Sequence, residues 1–326
     1  MKNKIENKTL LITGGAGFLG SHLCEFYLNN NRVICVDSLA SGRIENINHL
    51  LKNKNFVFMN HDVIESMPKI LEDVDYVLHF ASRAAPEEYQ KHAMHTLKTN
   101  SIGTMNMLEF AWQKKAIFLF ASTSEIYGQP SMVPTPETYY GYANTIGPRS
   151  CYDESKRFGE TICKTYAESY NGLDVRVIRI FNTFGPRIRH DVHYGRALPR
   201  FIYQALTGKD ITIYGDGSQT RSFMYVSDLV SAVNIILRQK GPKKVSHNGH
   251  VYNVGNPQEV SIKKLAEKII EYTNSKSKIT YSSLPKDDPL RRVPDITKMK
   301  SLGWEPKVQW EDGLKLTIKW FKEKMM

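Results

Sequence analysis

Cysteine is scarce: the 326 residues include four, at positions 24, 35, 151 and 163, and no two are spaced as CxxC. That argues against a disulfide scaffold and gives no basis for a zinc ribbon or a thioredoxin-like redox pair, so no metal site is expected. Long apolar runs are missing too. No window reaches the length of a membrane span, and the stretch MKNKIENKTLLITGG is basic without the apolar run of a signal peptide. A reducing cytoplasm is the expected home, with no membrane partner. Acidic residues are in deficit, 33 against 44 basic ones, for a net charge of +11. Such an excess invites an anionic partner. Nucleic acid is not expected, because no recognition-helix, RRM, KH or zinc-finger pattern occurs and the aromatics are not interleaved with a basic groove motif. No internal repeat stands out, and low-complexity content is confined to loops such as LKNKN and RQKGPKK.

What is present is an ordinary globular composition, 41% hydrophobic and 24% charged, with 21 Gly and 14 Pro. The length suits two units, or one large α/β body with a smaller companion. The run Thr9 to Thr13 (TLLIT) reads as a buried strand, followed at once by Gly14, Gly15, Gly17 and Gly20 and then by SHLCEFYLNN at helical spacing. Asn29 to Asn31 end that helix, and RVICVDS starts a second strand. Further strands are expected at Phe56 to Met59, Tyr76 to Phe80, Ile117 to Ala121 and Val175 to Ile180, with helices over roughly Thr96 to Gln113 and Ser155 to Ser169. This alternation predicts an α/β fold, a Rossmann-like, mostly parallel sheet with helices on both faces. After Gly185 the texture changes to more Pro, Gly, Tyr and Arg, and helical spacing resumes at SIKKLAEKIIEYT and WEDGLKLTIKWFKEKM. The expected division is a dinucleotide-binding domain over 1–182, to which segments near 222–256 return, and a smaller C-terminal substrate-binding domain over 183–326.

Three stretches carry chemistry. Gly14, Gly17 and Gly20 follow GxxGxxG, the pattern of a sharp turn, close backbone approach to a pyrophosphate and tight packing of helix on strand. Amide dipoles at the helix start would receive the phosphates. Glycine-rich turns are also purely architectural, but this one lies between a strand and a helix, and Asp37 ends the second strand 23 residues beyond Gly14. An acid there accepts from an adenosine ribose and disfavours a 2′-phosphate, so NAD is expected over NADP. Asp62, in NHDV, suits the adenine amine, and a loop-capping Asp has the same signature. In CYDESK, Tyr152 and Lys156 are four apart and share a helical face. A tyrosine of ordinary pKa, about 10, is a poor base at neutral pH, and a cationic Lys156 would lower it and reach the nicotinamide ribose. A YxxxK pair alone often marks only a surface. Finally STSEIYG follows a strand at its carboxyl end, where ligands bind in such sheets. Thr123 or Ser124 would share the hydrogen bond of a reacting hydroxyl, and Glu125 would bring a carboxylate to the substrate. A helix N-cap by Ser122, Thr123 or Ser124 reads the same way.

Together these stretches resemble the extended short-chain dehydrogenase/reductase family, whose members bind nucleotide sugars. The resemblance covers nearly the full chain: NHDV at 60–63, TLKTNSIGTMNML at 96–108, ASTSEIYG at 121–128, YGDGSQTRSFMYVSDLV at 214–230 and LGWEP at 302–306. IGPRSCYDESKR at 146–157 with RIFNTFGPR at 179–187 is more particular to its decarboxylase-like branch. The resemblance implies that Phe18 and Leu19 hold the pyrophosphate with the glycines, that Thr99 lies near the cofactor and that Lys98 lies near the sugar nucleotide. It implies a catalytic trio of Thr123, Tyr152 and Lys156, with Glu125 the acid found in decarboxylases and dehydratases. Asn182, Arg187 and Arg221 fall in the sugar-nucleotide region, and Arg292 matches an arginine acting on a carboxylate or developing charge. The helices over 96–113 and 155–169 correspond to those that pair across a homodimer.

The activity so implied is NAD-dependent decarboxylation of UDP-glucuronate to UDP-xylose through a 4-keto intermediate, with NAD tightly bound and recycled. A nucleotide-sugar 4,6-dehydratase is the alternative, disfavoured because Ser124 stands where the best-known dehydratases carry Asp; a 4-epimerase ranks below it. One departure matters. The decarboxylase-like pattern ASPASPPxY reads here Ala81, Ser82, Arg83, Ala84, Ala85, Pro86, Glu87, Glu88, Tyr89. Arg83 thus replaces a proline beside the expected sugar pocket, where it would bind a carboxylate or hydroxyl of the sugar or point to solvent.

Overall fold

A computed structural model describes residues 5–69, 72–189, 196–240, 250–285 and 287–325; most of the loop RQKGPKK lies outside them. The strands β1 (Thr9–Thr13), β2 (Arg32–Asp37), β3 (Phe56–Asn60), β4 (Tyr76–His79), β5 (Ile117–Thr123) and β6 (Val175–Ile180) form one sheet with the strand Val251–Val254. Its order is Val251–Val254, β6, β5, β4, β1, β2, β3, and every pairing is parallel. Leu10, Leu11 and Ile12 are fully buried, as in a central strand covered on both faces, which is why β1 reads as an unbroken apolar run. The expected parallel α/β architecture is therefore the observed one. Strand order reverses between β1 and β4, so the carboxyl ends of these two strands part into a crevice.

The helices bear out the expected rhythm with two corrections. The first, α1 (Phe18–Leu28), starts at the glycine turn. A single helix over 96–113 is in fact three pieces, α2 (Ala93–Lys98), a π-turn Thr99–Gly103 and α3 (Thr104–Lys114). Hydroxyls explain the interruption. Thr99, Ser101 and Thr104 each donate to the carbonyl four residues back, at 2.8, 2.6 and 2.8 Å, and such back-bonding bends helices. The helix expected from Ser155 begins instead at Ser150, so α4 (Ser150–Ser169) carries the whole YDESK stretch.

Two further packings position the site. The helix Val226–Leu237 lies against α1, and the strand Val251–Val254 pairs with β6, so the late part of the chain returns to the sheet. A second apolar core gathers Phe184, Leu198, Phe201, Ile211, Leu265, Trp310, Leu314 and Phe321. It is built on the helices Ala197–Leu206, Ile262–Thr273 and Trp310–Met325, whose apolar faces meet there.

Candidate active site

The carboxyl edge of the sheet opens into a cavity of about 520 Å³. Every expected site residue except Lys98 lies on its wall. Lys98 ends α2 with its side chain exposed and outside the wall, a correction to its expected place beside the sugar nucleotide. Neighbours on a helix differ by about 100°, so Thr99 turning toward the cavity carries Lys98 away from it.

The glycine turn is shaped by contact rather than by side chains. Gly14 has φ +67°, and a Cβ there would lie 2.8 Å from the Phe80 carbonyl carbon and the Ala81 nitrogen. A Cβ on Gly20 would lie 2.1 Å from the Gly14 oxygen. No side chain caps α1, so its first amides stay open where Gly17, Phe18 and Leu19 line the cavity. Beside them Asp37 is buried and accepts from the amides of Ala16 and Leu39 at 3.0 and 2.8 Å; burial raises its carboxyl above the ordinary range, opposed by these bonds. A bare backbone cradle at a helix N-terminus, with a carboxylate 20 residues on from Gly17, suits a dinucleotide's diphosphate and ribose. Asp62 takes the loop-capping role that its signature allowed. One oxygen accepts from the Ile64 amide at 3.0 Å as a loop cap, the other meets His95 at 2.8 Å, and the residue also lines the cavity.

On α4, Tyr152 and Lys156 share the face turned to β5. The Tyr152 ring stacks on Tyr89, with centroids 4.9 Å apart and planes within 6°. Burial pushes its phenol up to about 12, while the neighbouring Thr123 hydroxyl and the Arg196 charge favour the phenolate. Lys156 lies one helical turn further along and is buried. Its ammonium donates to the Ala121 carbonyl at 2.9 Å and sits 4.9 Å from the centre of the Phe120 ring, and burial lowers its own pKa to about 7. Thr123 also accepts from the Glu125 amide at 3.3 Å, capping the 3₁₀ turn Ser124–Tyr127, so the N-cap reading of STSE holds together with the cavity-facing one.

Glu125 sits in a charge cluster. One of its oxygens receives Arg149 at 2.6 Å and the other pairs with Arg292. Burial works against the carboxylate, but Arg149 and Arg292 outweigh it and hold Glu125 down to about 2. Asp288 ties the cluster outward, to Arg149 at 3.2 Å and to Arg221 at 2.8 Å. Next to Tyr152, Asp153 is pushed up to about 7 by burial and by the Glu125 charge. Ser124 is buried on the same wall. Asn182 lines the cavity while its carbonyl accepts from Met224 at 2.9 Å. Arg187 stands nearer the glycine turn than the Glu125 cluster, ion-paired to Glu25 of α1. Arg83 is buried, so it does not point to solvent; its guanidinium donates to the Ala40 carbonyl at 2.9 Å, in the loop that follows Asp37.

Sequence reasoning did not single out Arg149, Asp288 or Tyr89. Arg149 had a signal, three residues ahead of Tyr152 in a helix placed to begin later than it does. Asp288 had none, since it meets Arg149 across 139 residues of chain. The Tyr89 hydroxyl is buried with no hydrogen-bond partner.

Known proteins match nearly the whole of this chain. A family model described as GDP-mannose 4,6 dehydratase matches residues 11–317. UDP-glucuronic acid decarboxylase 1 of Xenopus tropicalis is 46% identical over 322 residues, 98% of this chain and 73% of that protein. Among solved structures, the Thermotoga maritima UDP-glucose 4-epimerase with UDP-glucose superposes with a TM-score of 0.85 at 32% identity, covering 98% of this chain and 100% of that one. The Bacillus cereus UDP-glucuronic acid 4-epimerase, in complex with UDP-glucuronic acid and NAD, gives 0.85 at 28% identity over 97% and 99%. With its glycine turn, its tyrosine–lysine helix and the strands beneath them matched from end to end, the chain belongs to the extended short-chain dehydrogenase/reductase family of NAD-dependent enzymes that remodel nucleotide sugars.

Proposed function

We propose that this chain decarboxylates UDP-glucuronate to UDP-xylose through a 4-keto intermediate, recycling its NAD within each turnover. The observation that carries this reading is Glu125, ionised between Arg149 and Arg292 on the cavity wall that also bears Tyr152. With Glu125 a carboxylate and Ser124 a hydroxyl, neither of these residues is an acid able to protonate a departing 6-hydroxyl, which disfavours 4,6-dehydration. Arginines at the same corner suit a sugar that carries its own carboxylate. The curated decarboxylase that matches 98% of the chain supports the same choice.

The glycine turn and the α1 amides would hold the NAD diphosphate, Asp37 the adenosine ribose, Thr99 a neighbouring part of the cofactor and Lys156 the nicotinamide ribose. When bound, NAD supplies a reversible hydride acceptor for the sugar C4. Tyr152 takes the 4-hydroxyl proton at its Oη as C4 becomes a ketone. Burial opposes that base role, so it leans on Thr123, whose hydroxyl favours the phenolate. The substrate carboxylate is then β to a carbonyl; the C5–C6 bond breaks, carbon dioxide leaves, and the electron pair stays as an enolate. Arg292 and Arg149 face that developing charge. Glu125, being ionised, orients a water that protonates C5 rather than donating a proton itself. Tyr152 returns its proton to O4 as the hydride returns to C4, and the hydroxide left by the water that protonates C5 takes a proton from solvent, so each turnover consumes one solvent proton and no net electrons.

The same reading assigns the sugar nucleotide mainly to residues 183–326, with Asn182 and Arg221 toward its uridine diphosphate and Arg187, paired to Glu25 of α1, nearer the cofactor. It includes a homodimer, supported by the exposed apolar side chains of Met94, Ile102, Trp112 and Phe158 on α2, the π-turn, α3 and α4. The test is incubation of the purified protein with UDP-glucuronate, and separately with UDP-glucose and UDP-N-acetylglucosamine, following carbon dioxide and product mass. Release of carbon dioxide from UDP-glucuronate with formation of a UDP-pentose is expected. Conversion of UDP-glucuronate to its C4 epimer without carbon dioxide, or loss of water from UDP-glucose, would reverse the assignment.

A further inference from the structure

Arg83 is the residue at which this chain leaves the pattern it otherwise resembles, and its surroundings say what the change does. The end of β4 presses directly on the glycine turn: Gly14 has no room for a Cβ against Phe80 and Ala81, and the Ala81 amide donates to the Thr13 hydroxyl at 3.1 Å. Arg83 follows two residues later. From there its side chain reaches the Ala40 carbonyl at 2.9 Å, three residues beyond Asp37. The guanidinium lies 3.7 Å from Glu88, which also pairs with Arg189 at 2.7 Å. Arg83 therefore arches from the strand beside Gly14 to the loop after Asp37, over the part of the cavity bounded by the glycine turn. It lines that cavity and is 8% exposed, yet its Nε–H is buried with no acceptor in the protein. A buried guanidinium N–H without a partner is costly, and a pair of anchors that hold the group in place makes it a preformed anion seat.

We propose that Arg83 is a cofactor-binding residue whose guanidinium, anchored by Ala40 and Glu88, donates to the diphosphate of the bound dinucleotide and not to the sugar. This rests on the reading above that the glycine turn holds NAD. The sugar corner already has Arg149, Arg221 and Arg292 around Glu125 and Asp288, whereas at the α1 cradle Arg187 is ion-paired to Glu25 and the other groups are backbone amides and the acid Asp37. A proline at this position has no donor to offer, so the arginine adds a charged contact to the cofactor half alone.

The experiment compares the wild-type protein with Arg83→Ala, Arg83→Gln and Arg83→Pro, measuring bound NAD after purification and then dissociation constants for NAD, ADP, adenosine and UDP by calorimetry. All three variants are expected to bind NAD and ADP at least tenfold more weakly, with adenosine and UDP unchanged within twofold. Arg83→Gln keeps an N–H for the Ala40 carbonyl while removing the charge, so it stands in should Arg83→Ala or Arg83→Pro fail to fold by circular dichroism. Unchanged ADP and NAD affinity in the folded variants overturns the proposal, as does a loss that falls on UDP or UDP-glucuronate instead. Because binding is read directly, a failure of decarboxylation leaves this result standing, and only a wild-type protein that does not bind NAD removes the reading beneath it.

Discussion

The cavity has two ends that are put together in opposite ways. Around the cofactor cradle the contacts are local: Gly14, Gly17 and Gly20 sit within one turn and helix start, and Asp37 closes the next strand, paired beside β1. Its working groups are backbone amides exposed by the lack of side chains. At the sugar end the working groups are charges brought from far apart, with Glu125 meeting Arg292 across 167 residues and Arg221 meeting Asp288 across 67. The first end tolerates almost no added atoms, because its shape is the function. The second tolerates no removed charge, because each of its ions is buried against another.

Substitutions at the two ends should therefore fail differently. The largest effect is expected at the point between them: Tyr152→Phe should lower kcat by a factor of about 10²–10⁴ while bound NAD is retained, measured by turnover and cofactor content together. Activity within tenfold of wild type would remove Tyr152 from the chemistry. Next, Glu125→Gln leaves Arg149 and Arg292 short of a counter-charge and should cost about 3 kcal/mol of stability in denaturant titrations. The sign with pH follows from its depressed carboxyl. The Glu125 contribution is complete above its ordinary value near 4.5 and is lost as pH falls toward about 2, so wild type and variant should converge in stability over that interval. Equal acid sensitivity in the two proteins would dissolve the charge cluster as an explanation. At the cofactor end Gly20→Ala introduces a Cβ against the Gly14 oxygen, and about 1–3 kcal/mol of overpacking is expected, read as a lower Tm and weaker NAD binding with UDP affinity kept. The last, Lys156→Met, is read as a slope with pH and not as a single loss. Burial depresses the lysine, so the unfolded chain binds its proton more tightly between about 7 and the ordinary 10.5. Wild-type stability should gain from this group as pH rises through that window, by at most about 1.4 kcal/mol per pH unit, and the variant should lack that slope.

The legibility of the site follows the same division. TGGAGFLGSH and RVICVD announce their turn, helix and acid because each needs particular residues at fixed spacing, and YDESK announces a shared helical face. The Rossmann-like sheet was readable from its apolar runs for the related reason that strands buried on both faces have no polar side. Arg149 stayed hidden only because α4 starts five residues before the expected Ser155. The π-turn at Thr99–Gly103 was masked because helix adjoins it on both sides without a break.

What the sequence by itself determined is the set of local devices: the strand rhythm, the glycine turn, the acid that closes β2 and the tyrosine–lysine pair. Their chemistry depends on neighbours within a few residues, and spacing along the chain encodes it. Only the tertiary structure decided how charges are shared. It placed the Lys156 ammonium on a carbonyl, sent Lys98 outward, clamped Glu125 between two arginines and turned Arg83 toward the Ala40 loop. A charge acts through space and through the burial around it, and neither distance is written in residue number.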